Sequence, residues 1–303
     1  MNKETGAIIV THFPSIANVQ LLLEVVVPAC AYCVIVDNTP GANTQLSRLG
    51  KDFPALVILA QKTNLGIARA QNIGVQYLFS RCKYFVFFDQ DSLPVKNIIS
   101  HLYNGFTYLL RNGYQAGAVG PLVINKSTGK PYSKPAGSKN YIEDKVREVP
   151  VLTSSGTFFS RESWAMIGPM EEALFIDGVD LEWCWRGKYF NRLRFFMLED
   201  ISITHEVGTH KSFAGMFSIK APTPERCYYL YRNYFSLAGR SYVPLYWKLS
   251  SGCKYVVKFF LFPLVLKPAK KYMQQMLRGL RDGIKLVFTK GKRVKSLEVT
   301  GNS

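Results

Sequence analysis

The chain has 303 residues, 48% of them hydrophobic and 14% aromatic, which is enough apolar material to bury a sizeable core and excludes wholesale disorder. With 23 glycines, 15 prolines and no persistent heptad, collagen-like and coiled-coil architectures are excluded as well. The net charge of +17 is lopsided: residues 1–219 carry 21 basic and 18 acidic side chains, whereas residues 220–303 carry 17 and 3. Such a basic end points to an anionic partner, either nucleic acid or a lipid surface.

In chain order, Gly6–Val10, Tyr32–Val36, Leu56–Ala60 and Tyr84–Phe88 read as strands that are apolar throughout rather than alternating. Continuous runs are the mark of parallel strands covered on both faces by helices. Between them, Ser15–Val26, Leu65–Phe79 and Val95–Arg111 have helical periodicity. This β-α-β-α rhythm predicts an open α/β sheet whose ligands sit at the strand carboxyl ends. Residues 121–150, rich in Lys, Ser, Gly and Pro, read as a long surface loop or hairpin, and 151–219 as mixed structure. From 220 onward the pattern is helical, aromatic and basic, with an apolar stripe at Met273, Met276, Leu277, Leu280, Ile284, Val287 and Phe288. No internal repeat is present.

The six cysteines include one lone C-x-x-C, Cys30 and Cys33, with no second pair or nearby histidine spacing, and read as buried thiols of a reduced compartment. No secretory signal opens the chain. The longest apolar stretches, Val25–Val36 and Phe259–Leu266, fall short of the roughly 20 residues that cross a bilayer. The expected location is cytoplasmic, with the basic end available to a membrane surface.

Five groups of residues could carry chemistry. Phe87-Phe88-Asp89-Gln90-Asp91-Ser92 ends a strand with two carboxylates. In extended backbone, residues i and i+2 point the same way, so Asp89 and Asp91 can converge on Mg²⁺ or Mn²⁺; the competing reading is a strand-ending turn. Asp37-Asn38, at another strand end, either contacts a nucleotide or starts a turn. Asn64 is a candidate N-cap before Gly66, and Arg69 lies where the helix amides and a guanidinium could face a diphosphate. Neither G-x-G-x-x-G nor G-x-x-x-x-G-K-[ST] occurs. Phe175–Arg186 places Asp177, Asp180 and Glu182 beside Trp183 and Trp185, a setting that suits either a general base or a helix cap. His205, followed by His210, could complete a metal shell or remain structural.

The order of these pieces, with Ser155-Gly156-Thr157 between the second and third acidic groups, resembles the family-2 inverting glycosyltransferases of the GT-A fold over about residues 5–215. Three variants, Asp89-Gln90-Asp91-Ser92, the Phe175–Arg186 segment and Tyr228-Tyr229-x-x-Arg232-Asn233, look most like rhamnosyltransferases of bacterial surface polysaccharide synthesis.

The resemblance implies an α/β, Rossmann-like, open, mostly parallel sheet flanked by helices. A catalytic domain at 1–219 would be followed by a basic helical region at 220–303. It implies a nucleotide-sugar donor, dTDP-L-rhamnose, with Thr11 and Asp37 on base and ribose and Arg69 on the phosphates. Asn64 and Arg186 fall among the donor-binding residues, and Ser155 and Gly156 on the acceptor-side loop. Asp91, with Asp89 and His205, would hold Mg²⁺ or Mn²⁺. Asp180 takes the place of the family's base; Val179 precedes it where many relatives have Glu, leaving Asp177 as the second carboxylate.

The implied acceptor is a polyprenyl-diphosphate-linked saccharide at the cytoplasmic face of the inner membrane. The basic region would touch the anionic lipid there, inserting Phe259–Phe262, or else pack on the catalytic domain or form an oligomer contact. Galactofuranosyl or another hexosyl transfer is the nearest enzymatic alternative. A nucleic-acid-binding protein is the non-enzymatic one, and it leaves the acids unexplained; no nucleic-acid partner is expected.

Overall fold

The computed structural model describes residues 2–41, 43–132, 141–143, 145–205, 210–213, 217–220 and 222–300, with the side chains of 2–3, 205, 210–213, 217–220 and 288–300 outside the description. The chain divides into two units, one of Met1–Phe175 with Val179–Val207, the other of Ile176–Gly178 with Gly208–Ser303.

The first unit begins β1 (Asn2–Thr11), α1 (Ile16–Val26), β2 (Cys30–Asp37), α2 (Thr44–Leu49), β3 (Leu56–Ala60), α3 (Ile67–Leu78) and β4 (Tyr84–Asp89). It continues β5 (Leu93–Pro94), α4 (Ile98–Arg111), β6 (Ala116–Asn125), β7 (Tyr141–Glu143) and β8 (Val146–Val149). It closes with β9 (Phe158–Ser160), α5 (Arg161–Ile167), α6 (Val179–Asn191) and β10 (Arg194–His205). One sheet has the order β3-β2-β1-β4-β9-β6-β10-β8-β7, with β5 paired to β10. The β3-β2-β1-β4 half is parallel, and β6 runs parallel to β10, while β9, β8, β7 and β5 pair antiparallel. This is the open, mostly parallel α/β sheet that the apolar runs predict.

Those runs are continuous because both faces are covered. Ala7, Ile9, Ile35, Val86 and Phe88 share a core with Val19 and Leu22 of α1 and Leu102 and Phe106 of α4. Ile8 points the other way, to α3, where Gly74 lies so close that a Cβ would collide with it. On that same side Phe87 and Phe159 stack with Trp164 and Trp183.

The second unit holds a hairpin of β11 (His210–Phe213) and β12 (Phe217–Lys220), then α7 (Pro224–Ala238), α8 (Leu245–Val265) and α9 (Ala269–Thr300). Its core is Cys227, Tyr231, Phe262, Leu266, Tyr272 and Met276. The stripe predicted on α9 is only partly inward: Met276 is buried, but Leu277, Ile284 and Val287 are exposed. The inward line is instead Tyr272, Met276, Gly279 and Gly283, because α7 approaches too closely for larger side chains. A Cβ on Gly279 would strike the Tyr228 carbonyl, and one on Gly283 would lie 2.8 Å from that of Arg232. Among the described residues no helix is long and apolar enough to cross a membrane.

Candidate active site

Parallel pairing aligns the strand carboxyl ends, so Thr11 sits opposite Asp37 and Val10 opposite Asp89. Asp37 is buried, and its Oδ1 accepts from the Thr11 hydroxyl at 2.8 Å, the Thr39 hydroxyl at 2.7 Å and the Thr39 amide at 3.1 Å. Its Oδ2 accepts nothing among the described residues. Asp37 therefore starts an Asx turn through one carboxylate oxygen and leaves the other with acceptor capacity. The neighbouring Asn38, also buried, donates to the Gly66 carbonyl at 3.0 Å and ties β2 to the entry of α3.

That entry differs from the sequence expectation. The helix starts at Ile67, its N-cap is Gly66 at φ 81°, and no side chain caps it. Asn64 is not the cap: its Oδ1 accepts the Gly66 amide at 2.9 Å, and its Nδ2 lies 3.2 Å from His12 Nε2. The first helical amide, of Ile67, donates to the Phe175 carbonyl at 2.8 Å, so a main-chain oxygen occupies the place where a diphosphate was expected to meet the helix amides. Arg69 projects outward from the first turn, more than half exposed, and its one ion-pair contact among the described residues is to Glu172 at 3.8 Å. A guanidinium held this loosely can still reach an anion.

At the end of β4, residues 89–92 form a turn closed by the Ser92 amide on the Asp89 carbonyl at 3.1 Å. Asp89 thus ends the strand while Asp91 lies in the turn, so the two do not share the extended backbone their spacing suggested. Both are half-buried. Gln90 between them accepts the His12 amide at 2.6 Å and donates to the His12 carbonyl at 3.2 Å. Two carboxylates are hard oxygen donors that fit Mg²⁺ or Mn²⁺, with water and phosphate oxygens filling the remaining positions. Among the described residues no three His, Cys, Asp or Glu side chains gather into a metal-holding group. His205 ends β10, and its side chain lies outside the described residues.

Ser155 and Gly156 pack against this turn and the end of β4. The buried Ser155 hydroxyl accepts the Asp89 amide at 3.3 Å and shares a hydrogen bond with the Ser92 hydroxyl. The Gly156 amide donates to the Phe87 carbonyl at 2.7 Å. Gly156 has φ 82°, and a Cβ there would lie 2.5 Å from the Pro121 ring. The pair braces the acidic turn from behind. Next to it, the buried Gln71 amide donates to Ser154, a link that nothing local in the sequence announces.

The third acidic group separates into three fates. Asp180, in the first turn of α6, is half-buried and its Oδ1 accepts the Leu181 amide at 2.9 Å. Asp177, which groups with the second unit, is gripped by Arg226, whose Nε lies 3.0–3.1 Å from both oxygens and whose Nη2 lies 2.7 Å from Oδ1. The buried Asn233 donates to the carbonyls of Ile176 at 2.6 Å and Asp177 at 2.9 Å. Phe175, Asp177 and Gly178 all have positive φ, of 66°, 63° and 87°, which concentrates backbone strain just before α6.

Glu182, fully buried, pairs with Arg186 through Nε to Oε1 and Nη2 to Oε2, both at 3.0 Å. Arg186 also donates to the carbonyls of Ile167 at 2.6 Å and Pro169 at 2.7 Å. Its guanidinium is committed to tying α5 to α6, which corrects the expectation that it binds donor. Trp183 is likewise core, its Nε1 donating to the Gly168 carbonyl at 2.9 Å.

No protein-family model matches the chain. It is 30% identical over 301 residues to the dTDP-rhamnosyl transferase RfbF of Shigella flexneri, a match spanning 96% of this chain and 99% of that protein. The fold is similar to that of GalNAc-T7 solved with UDP, GalNAc and Mn²⁺ (TM-score 0.56, 13% identity, 87% of this chain and 57% of that chain). It is also similar to Staphylococcus aureus TarS 1–349 with UDP (TM-score 0.54, 14% identity, 94% and 81%). A third neighbour is the mannosyltransferase PcManGT from Pyrobaculum calidifontis with GDP-Man and Mn²⁺ (TM-score 0.53, 13% identity, 96% and 88%). At such identities these three likenesses concern the fold alone.

Proposed function

Given that this chain belongs to the rhamnosyltransferase-like glycosyltransferases of the GT-A fold, we propose that it moves L-rhamnose from dTDP-L-rhamnose to a lipid-linked saccharide in surface polysaccharide assembly, inverting the anomeric centre. The observation that carries this reading is the likeness to RfbF along nearly the whole of both chains. The alignment of Thr11, Asp37 and Asp89 along one sheet edge supports it.

In this reading the open oxygen of Asp37 accepts from the donor's nucleoside, with Thr11 fixing the carboxylate. Arg69 reaches the diphosphate. Asp91 and Asp89, with His205, would hold Mg²⁺ or Mn²⁺, which would supply positive charge against the nucleotide diphosphate. Ser155 and Gln90 keep that turn in place before the donor arrives. Asp180 is the base: it takes the proton from an acceptor hydroxyl as that oxygen attacks the anomeric carbon opposite the leaving group. A single displacement from a β-L donor yields an α-linkage. Asp177 serves to hold the chain, since Arg226 occupies its oxygens.

The acceptor's lipid brings the enzyme to the cytoplasmic face of the inner membrane, and the +14 of residues 220–303 supplies attraction for anionic lipid. The test is nucleotide release from a panel of donors with a short synthetic lipid-linked acceptor. Turnover with dTDP-L-rhamnose well above UDP-galactofuranose supports the proposal; preference for another sugar overturns the donor, and no release with any donor overturns the reaction.

A further inference from the structure

We propose that the outward face of α8 is a bilayer-binding surface that lies flat in the interface of an anionic membrane. This deepens the membrane contact of the preceding reading by assigning it to one helix face. A helix of a soluble domain turns its apolar side inward and its polar side to water. In α8 both sides are apolar: Phe262 enters the core with Tyr255, Phe259 and Val265 packed against it, and the outward side is apolar as well. Leu245 (68% exposed), Leu249 (63%), Val256 (60%), Val257 (61%), Phe260 (66%) and Leu264 (80%) face outward, whereas the only buried residues of the helix are Ser251 and Phe262. Positions 245, 249, 253, 256, 260 and 264 recur at intervals of three and four, so they form one stripe along about 30 Å of helix. Contiguous apolar surface of that extent on a soluble protein marks an interaction site.

The expected insertion of Phe259–Phe262 is accordingly revised. Phe262 is in the core of the second unit and Phe259 is half-buried, while Phe260 points out with the stripe.

Charge selects the occupant. From Arg226 to Arg281 the sequence contains eleven Lys and Arg and no acidic residue. Lys254 on α8 and Lys267 and Lys270 just after it are exposed, whereas Lys248 donates to the Arg240 carbonyl, Lys258 lies over the Tyr255 and Phe262 rings and Lys271 pairs with Glu225. An apolar stripe fringed with lysines matches the boundary between acyl chains and anionic headgroups. A second copy of the same face would instead set these lysines against one another.

The protein carries its own reporter. Cys253 is the exposed cysteine, on the stripe, and the other five are buried. The full-length chain, labelled at Cys253 with an environment-sensitive fluorophore, is mixed with phosphatidylcholine vesicles with and without phosphatidylglycerol. The expected result is a blue shift and co-flotation with phosphatidylglycerol vesicles. L249S/F260S/L264S should cut partitioning by about tenfold or more, and K254E/K270E should weaken binding to the anionic vesicles only. These exposed positions leave the fold intact, so turnover on a soluble acceptor should match the wild type.

If the wild type floats and the triple serine variant floats equally, the α8 assignment is overturned while the basic-region reading survives. If the wild type never floats, both fall. A blue shift that depends on protein concentration without lipid overturns the bilayer in favour of a second copy.

Discussion

Arg186→Met separates a structural arginine from a donor-binding one. Its guanidinium makes a two-bond pair with Glu182, whose side chain is 1% exposed, and adds bonds to the carbonyls of Ile167 at the end of α5 and Pro169 just after it. Removing one member of a buried ion pair costs about 3–5 kcal/mol, because the remaining charge stays in the interior. For a unit of this size each kcal/mol lowers the melting temperature by about 2–4 °C, so the variant should melt about 6–20 °C below the wild type. Replacing both residues, as Glu182→Met with Arg186→Met, removes the stranded carboxylate and should recover part of the loss, a coupling read from the double-mutant cycle. The assay is thermal unfolding by circular dichroism alongside dTDP affinity by calorimetry, measured below the variant's transition. The reasoning is refuted if the melting temperature stays within a degree or two while dTDP affinity drops tenfold or more. That result would put the guanidinium on the diphosphate.

Asp180→Asn should lower turnover by about 10²–10⁴-fold with nucleotide affinity near the wild-type value; near-normal turnover would reject the base assignment. Asp91→Ala should raise the divalent-cation concentration needed for half-maximal rate, and EDTA should abolish activity restorable by Mg²⁺ or Mn²⁺; activity indifferent to EDTA removes the metal from the reaction. Gly66→Ala forces a Cβ to 2.6 Å from the Phe175 carbonyl at φ 81°, a backbone cost alone of about 1–3 kcal/mol, measurable by chemical denaturation. Burial pushes the Cys82 thiol up to about 11 and the Cys227 thiol up to about 12. A thiol reagent at pH 8 should therefore titrate one cysteine in the native chain, Cys253, and six after unfolding.

The parallel half of the sheet is legible in the sequence because a strand covered on both faces has no polar side to interrupt it. Ile8 meets α3 while Ala7 and Ile9 meet the opposite helices, and the run Gly6–Val10 is apolar as a result. Helix ends are less legible. Asn64 is a good capping residue, but α3 is closed by the carbonyl of Phe175, more than a hundred positions away, and no local signal announces such a partner.

The acidic positions were readable by type and not by geometry. Asp89 and Asp91 alternate as a strand would, yet Ser92 closes a turn around them with support from Ser155. Arg186 is the instructive misreading. Glu182 stands four residues before it on one helix face, the spacing of an intrahelical ion pair, and that local pairing decides its fate. On α9 the glycines at 279 and 283 carry the inward line because the facing backbone leaves no room, a fact invisible to hydrophobic periodicity.

Gln90 holds both the amide and the carbonyl of His12, as a neighbouring strand would, with a neutral side chain set between two acids. What position 90 requires is therefore reach rather than charge: asparagine, one methylene shorter, would have to choose between the two bonds. This clamp ties the tip of β1 to the turn after β4, so under the proposed function any coupling between a nucleoside beside Thr11 and a cation beside Asp91 acts on both affinities by the same factor.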